Sequence, residues 1–299
     1  MKKKHDVLKV IYSLIFILFL IELPARAKPT LRVGAIPDQN PEQLNRLYGL
    51  LASELSRELN VNVRYIPISN YPAAVSSFRT GSLDLVWFGG LTGVQARLQT
   101  PGARVLAQRE IDAQFHSVFI ANNASGLPEI KSKDDLKLLR GKRFTFGSES
   151  STSGRLMPQY FLLQAGVKPE DFAGGRAGFS GSHDATLALV QSGSYQVGAM
   201  NEQVWDSNLK RGRVNPQKVK VIWRTPAYAD YHWLVQPDLD QRFSPGFTNQ
   251  LQLAILGLNK NSKKQKKILD LFGANSFIKA APEQYKPIEE IGRKLGKIN

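Results

Sequence analysis

Between two glycines the chain reads Gly147-Ser148-Glu149-Ser150-Ser151-Thr152-Ser153-Gly154. The run stands between an apolar segment, Arg143 to Ser148, and a stretch with Leu156, Tyr160, Phe161 and Leu163 at helical spacing. The hydroxyls of Ser150, Ser151, Thr152 and Ser153 are thereby set on a predicted helix N-terminus. The first turn of a helix offers N–H groups without intrahelical partners and the positive end of the dipole. An oxyanion placed there collects hydrogen bonds from backbone and hydroxyls together, and neutral donors suit an anion that must also be released. The plainer reading is that Ser and Thr cap the helix, although a cap needs only one hydroxyl. A second junction of the same build, Phe179-Ser180-Gly181-Ser182-His183-Asp184-Ala185, places His183 in a first helical turn. There a ring N–H can be donated to an oxyanion, and a bound anion favours the charged ring; the alternative is a surface or capping histidine.

In the first half of the chain, Tyr71 directly after a strand and Gly89-Gly90 at the end of another occupy the corresponding edge. In open α/β sheets that edge is where ligands bind, and glycines there let a ligand approach the backbone. Motifs for catalysis are missing. There is no G-x-S-x-G elbow, no H-x-H or H-E-x-x-H, no G-x-G-x-x-G and no phosphate-loop lysine motif. The two S-x-x-K runs, Ser207 to Lys210 and Ser276 to Lys279, lack companion motifs. With 4 histidines, one of them His5, neither a metal site nor a triad is easily assembled, so no enzyme and no cofactor is expected. Trp87, Phe88, Trp205 and Trp233 can either stack on a flat ligand, such as a pyrimidine, a sulfonate or nitrate, or belong to the core.

The elements that must position these residues follow an α/β alternation from Thr30 onward. Leu31 to Ile36 reads as a strand, and Leu44, Leu47, Leu51, Leu55 and Leu59 recur on one helical face. Strands are expected at Val61 to Ile68, Leu83 to Phe88 and Phe115 to Asn122, with a helix from Tyr71 to Arg79. A second set of strands follows at Arg143 to Ser148, Ala177 to Ser180 and Tyr195 to Met200. Lys218 to Thr225 and His232 to Gln236 lead back, and Pro245 to Leu258, Lys264 to Phe272 and Pro282 to Leu295 read as helices. Two sets imply two lobes, with chain crossings near His116 and near Thr225 to Asp230 that make a hinge. The expected division is lobe 1 from 28–117 plus 226–299 and lobe 2 from 118–225.

The chain opens Met1-Lys2-Lys3-Lys4 and runs through Leu, Ile, Val and Phe from Val10 to Ile21 before Ala25-Arg26-Ala27, the pattern of a signal peptide over residues 1–27. Export is expected, and the absence of cysteine excludes a lipidated cysteine, disulfides and thiolate chemistry. The formal charge of +15 falls to +12 without residues 1–27, which hold five Lys/Arg and two Asp/Glu. Lys260, Lys263, Lys264, Lys266 and Lys267 cluster near the C-terminal end without interleaved aromatics, which reads mostly as a solvated helix face rather than a nucleic-acid surface, with a general bias towards anions as a lesser, compatible reading.

The motifs together resemble the phosphonate-binding-protein-like branch of periplasmic substrate-binding proteins of ABC importers. The resemblance rests on Leu31-Arg32-Val33-Gly34, Tyr71-Pro72-Ala73-Ala74-Val75, Asp84-Leu85-Val86-Trp87-Phe88-Gly89, Phe115-His116-Ser117-Val118, Ser151-Thr152-Ser153-Gly154 and Gly181-Ser182-His183-Asp184. It implies a type II two-lobe clamshell, free in the periplasm and expected to be monomeric, that delivers a small tetrahedral oxyanion to an inner-membrane permease. Phosphite, phosphonate, phosphate and selenate are the implied ligands. It further implies that Ser151, Thr152, Ser153 and His183 grip the oxyanion while Tyr71 and an aromatic near Phe115 or His116 close over it. Where aminoalkyl-phosphonate binders carry an acidic residue, Gln203 stands here, or Glu202 if the register slips by one. Asp230 matches a second acidic position, able to accept a hydrogen bond from a protonated ligand oxygen.

Overall fold

The structure is a computed structural model and describes residues 29–299; the expected signal peptide lies outside the described residues. The first half of the chain forms β1 (Thr30–Ala35), α1 (Pro41–Leu59), β2 (Asn62–Tyr65), α2 (Tyr71–Arg79), β3 (Leu85–Phe88), α3 (Gly90–Leu98) and β4 (Arg104–Arg109). A 3-10 turn leads to β5 (Ser117–Asn122), followed by β6 (Phe144–Phe146), α4 (Met157–Gln164), β7 (Gly178–Phe179), α5 (His183–Gln191), β8 (Val197–Asn201), α6 (Glu202–Lys210) and β9 (Val219–Arg224). The chain then returns through β10 (His232–Val235), α7 (Leu239–Arg242), α8 (Phe247–Leu256), α9 (Lys263–Phe272), β11 (Phe277–Lys279) and α10 (Lys286–Lys294).

These strands make two separate sheets, in the order β11-β4-β10-β3-β1-β2 and β7-β6-β8-β5-β9. In the first, β1 runs parallel to β2 and β3, while the returning β10 inserts antiparallel between β3 and β4. In the second, β6 is parallel to β7 and β8, and β5 lies antiparallel between β8 and β9. Each sheet is buried by helices, so β3 reads Leu85-Val86-Trp87-Phe88 without alternation, as a strand covered on both faces must. α1 buries Leu44, Leu47, Leu51 and Leu55 and is capped by Asn40, whose side chain accepts from Glu42 and Gln43 N–H.

The segments Glu110 to His116 and Thr225 to Tyr231 join the sheets. They pair through reciprocal backbone bonds between Phe115 and Tyr228, 2.8 and 3.0 Å long. These two short segments, tied to each other, are the only covalent links between the sheets among the described residues. The structure also adds two strands to those read from the sequence. β4 and β11 pair with each other at the sheet edge, a contact between positions far apart in the chain. The expected strand Val61 to Ile68 is shorter, because Pro67 brings no N–H to continue the ladder beyond the Ile66–Val33 bond.

Candidate functional site

The cleft is built by repeating one device, a strand that runs into a capped helix. Asn70 caps α2 by accepting from Ala73 N–H at 2.8 Å, which fixes Tyr71 as the first helical residue. Ser182 caps α5 and so fixes His183, and Asn201 caps α6 by accepting from Val204 N–H at 3.0 Å. At the hydroxyl run, Ser151 accepts from Gly154 N–H at 2.9 Å. The turn that follows, Thr152–Leu156, is π-helical, with Leu156 N–H reaching back to the Ser151 carbonyl at 2.9 Å. Such widened turns recur at functional sites. The plain capping role falls to Ser151, which leaves Thr152 and Ser153 for other partners.

Thr152 and Asp230 meet the start of α3. The Thr152 hydroxyl accepts from Leu91 N–H at 2.9 Å, across the two lobes, and Asp230 Oδ1 accepts from Gly90 N–H at 2.8 Å. A Cβ on Gly89 would lie 3.2 Å from Thr152 Oγ1 and 3.4 Å from Asp230 Oδ1, so the glycine lets both side chains come against this helix end. Ser153 is held by its backbone, whose carbonyl accepts from the Ser117 hydroxyl at 2.7 Å; Ser117 in turn lies 2.6 Å from Tyr228 Oη.

Three buried side-chain atoms of this neighbourhood have no hydrogen-bond partner: Tyr71 Oη, Ser153 Oγ and Asp230 Oδ2. Tyr71 lies close to Ser151, but its hydroxyl satisfies no hydrogen-bond geometry. An unsatisfied buried polar group costs about 1–3 kcal/mol, and two hydroxyls and a carboxylate oxygen left open together mark a place where something polar binds. Burial first, with the nearby Asp112 charge also acting to raise it, pushes the Asp230 carboxyl up to about 7, although the Gly90 N–H favours its ionised form. A group so poised carries a proton or a charge according to what faces it.

His183 is fully buried, and burial lowers its pKa to about 3, so the ring is neutral. Its Nδ1 accepts from Asn201 N–H at 3.3 Å, which leaves the proton on Nε2, 3.4 Å from the Tyr231 hydroxyl. A Cβ on Gly154 would come within 3.1 Å of the ring, so His183 lies directly against the hydroxyl turn. The sequence expectation of a ring that becomes charged beside an anion therefore starts, in this structure, from a neutral donor.

Tyr71, Ser151, Thr152, Ser153, His183 and Asp230 are thus gathered in one region. Phe115 lies one layer behind it, edge-on to Tyr231 at 5.6 Å and under the Arg109 guanidinium at 5.7 Å. His116 and Gln203 face elsewhere. His116 Nδ1 is 2.7 Å from the Thr225 carbonyl, Gln203 packs on Gly273 and approaches Arg109 at 3.4 Å, and both line a separate groove of about 500 Å³. Glu202 lines the same groove, paired with Arg224 at 2.5 Å. Trp87 and Trp233 are buried in the core, tilted against each other at 5.1 Å.

Two residues were missed from the sequence. Asp38, just past β1, is buried with its carboxyl raised to about 7, mainly by burial and despite a hydrogen bond from Tyr231. Its carbonyl accepts from His183 N–H at 3.0 Å across the lobes. Tyr231 stacks on Trp87 at 5.7 Å and receives the Asn201 amide at 3.0 Å. A carboxylate at the C-terminal edge of the first strand was the available clue to Asp38; Tyr231 gave none beyond its place next to Asp230.

Two α/β lobes joined by two short chain segments, with unsatisfied buried polar groups where the lobes meet, define a type II periplasmic substrate-binding protein. The chain belongs to the phosphonate family of these proteins: the family described as "ABC transporter, phosphonate, periplasmic substrate-binding protein" matches residues 33–285. It is 56% identical over 286 residues, 96% of both chains, to the probable ABC transporter phosphite binding protein PhnD1 of Prochlorococcus marinus (strain MIT 9301). The solved structure of PhnD1 in complex with methylphosphonate is similar with a TM-score of 0.89 and 57% identity, over 90% of this chain and 99% of that one. The phosphonates-binding periplasmic protein of Escherichia coli (strain K12) is 25% identical over 231 residues, 73% of this chain and 66% of that protein. The chain is accordingly a binding component of an ABC importer and not an enzyme.

Proposed function

We propose that the chain captures a small tetrahedral phosphorus oxyanion of the phosphite or methylphosphonate type between its lobes and presents it to an inner-membrane permease. The observation that carries this reading is the set of open polar atoms, Tyr71 Oη, Ser153 Oγ and Asp230 Oδ2. Two of them donate to oxyanion oxygens. The third accepts a hydrogen from a protonated ligand oxygen, which a bare sulfate or nitrate does not carry near neutral pH. Thr152, Ser151 and neutral His183 complete the grip at the π-turn, and Phe115 backs it. The names of the similar proteins, a phosphite binder and one solved with methylphosphonate, point the same way.

Gln203 and His116 line the separate groove together with the already paired Glu202, so none of these three supplies a free carboxylate to an amine at the inner site. That arrangement favours a ligand without an amine. The lobes correspond to 28–117 plus 226–299 and 118–225, and closure turns about the Phe115–Tyr228 pair. Residues 1–27 direct export to the periplasm, where the protein acts as a free monomer; with no cysteine in the chain, no lipid anchor is attached through one.

Calorimetry of the ligand-stripped protein against phosphite, methylphosphonate, 2-aminoethylphosphonate, phosphate, sulfate and selenate tests the reading. Micromolar or tighter binding of phosphite or methylphosphonate, with the aminoalkyl compound much weaker, is expected. No binding to any of the six overturns it.

A further inference from the structure

Outside the candidate site, the rim of the cleft carries a second pocket of about 450 Å³, lined by Asn40, Arg46, Arg211, Arg213 and Lys267 among others. Arg46 and Lys267 come from α1 and α9 of the first lobe; Arg211 and Arg213 follow α6 in the second. The pocket is assembled by contacts between the lobes. Arg211 bonds Gln43, and Asn40 N–H donates to Asp184 Oδ2 at 2.7 Å. No carboxylate lies within ion-pair distance of Arg46, Arg213 or Lys267 among the described residues. Of the two acidic residues on its walls, Glu42 and Asp270, the latter is committed to Lys266 at 2.6 Å.

Bringing cations from two lobes into one pocket is unfavourable unless something negative lies between them. The neighbouring groups feel this, for burial first, then the charge of Arg213 and, after the opposing Asp184 carboxylate, that of Arg46 lower the pKa of Arg211. Guanidinium groups are suited to holding several phosphate oxygens at once.

We propose that this rim is a second anion site, made only when the lobes close, that takes a polyvalent phosphate such as a short polyphosphate chain and thereby stabilises the closed form. None of its residues belongs to the inner site. Because the rim is complete only in the closed form, its occupant and the inner ligand favour the same state. Each must then tighten the other by the same factor. The inference rests on lobe closure, which the proposed function also invokes, but not on the identity of the inner ligand.

Tripolyphosphate, too large for a buried tetrahedral site, is the probe. At constant ionic strength it should bind methylphosphonate-saturated protein at least tenfold more tightly than ligand-free protein, and methylphosphonate affinity should rise by the same factor when tripolyphosphate is saturating. In the Arg46→Gln, Arg213→Gln double variant that coupling should vanish while methylphosphonate binding without tripolyphosphate stays within about twofold of wild type, which also shows that the variant is folded. X-ray scattering provides a readout independent of the inner ligand, since tripolyphosphate alone should compact the wild type and not the variant. Equal affinity for the two forms, coupling that survives in the variant, or no compaction overturns the second site. Failure of methylphosphonate to bind at all appears in the first titration and counts against the inner-ligand reading instead, leaving the scattering comparison to decide the rim.

Discussion

Thr152 and Ser153 are neighbours with different assignments. Thr152 spends its acceptor on Leu91 N–H across the cleft, whereas Ser153 Oγ has no partner. Thr152→Ala with Ser153→Ala therefore removes both a lobe-bridging bond and an open donor, and affinity for the preferred oxyanion should fall by about 1–3 kcal/mol per charge-assisted bond lost. Calorimetry reads this directly, and unchanged affinity removes the π-turn from the site. The buried carboxyls govern pH behaviour. Asp38 and Asp230 are raised to about 7 by burial, so the folded, ligand-free protein holds their protons more firmly than the unfolded chain does. The stability they contribute is complete below about pH 4 and is lost as pH rises through about 7. His183 and His232, lowered by burial to about 3 and about 4, act in the opposite direction. Their contribution is present above about pH 6.5 and lost as pH falls. Asp38→Asn should flatten the fall in melting temperature between about pH 4 and about 7, and an unaltered fall means Asp38 is not the group lost there. Affinity should likewise fall as pH rises past about 7, when Asp230 and a protonated ligand oxygen lose the proton between them and two negative charges face each other. Asp230→Asn should shrink that fall; an identical pH profile in wild type and variant assigns the proton elsewhere.

The hydroxyl turn works as an element because Gly154 lets it lie against β6 and α5. A Cβ there would stand 3.0 Å from Ser151 Oγ, 3.1 Å from the His183 ring and 3.2 Å from Gly147 Cα. Gly154→Ala should thus push the turn away from His183 and weaken oxyanion binding by roughly tenfold, since small displacements of positioned donors are costly. A crystal structure of the variant showing the turn unmoved, with full affinity, would falsify this. The turn was visible in sequence because strand, hydroxyl run and helical apolar spacing follow one another within about twenty residues, and the same local grammar revealed α1, α2 and the His183 junction. What escaped notice depends on residues remote in the chain. β4 is a strand through pairing with β10 and β11, both remote in the chain, and the three-residue β11 through pairing with β4, while His183 N–H meets the Asp38 carbonyl from the other lobe. The π-turn had no distinct pattern either, since one extra residue in a turn leaves the hydrophobic spacing of α4 intact. His116 and Gln203 were singled out by their places beside recognisable segments, yet their directions are set by partners at Thr225, Arg109 and Gly273 that no local pattern announces.

For the whole molecule, the decisive quantity is the free energy of closure. The polar contacts between the lobes include Thr152 with Leu91 N–H, His183 N–H with the Asp38 carbonyl, Asp184 with Asn40 N–H, Arg211 with Gln43 and the Asn201 amide with Tyr231. The two crossing segments are held together by the reciprocal backbone bonds of Phe115 and Tyr228 and by Asp230 N–H to the Asp112 carbonyl at 3.1 Å, contacts outside both sheets about which the lobes can turn without breaking either one. Asp184 has a particular place in this set. One carboxylate oxygen accepts from Asn40 N–H at 2.7 Å across the cleft, while the other accepts from the Asn208 amide of its own lobe at 2.8 Å, which holds the side chain in position. It acts on the closed state while lying outside the group of open polar atoms that the ligand is proposed to fill. Asp184→Ala removes a bond that exists only after closure, so it should speed ligand release by roughly tenfold, the equivalent of about 1.4 kcal/mol, with little change in the association rate. Stopped-flow release kinetics check this. A slowed association with unchanged release would place Asp184 in ligand entry, whereas an unchanged pair of rates would mean that the inner contacts alone hold the lobes together.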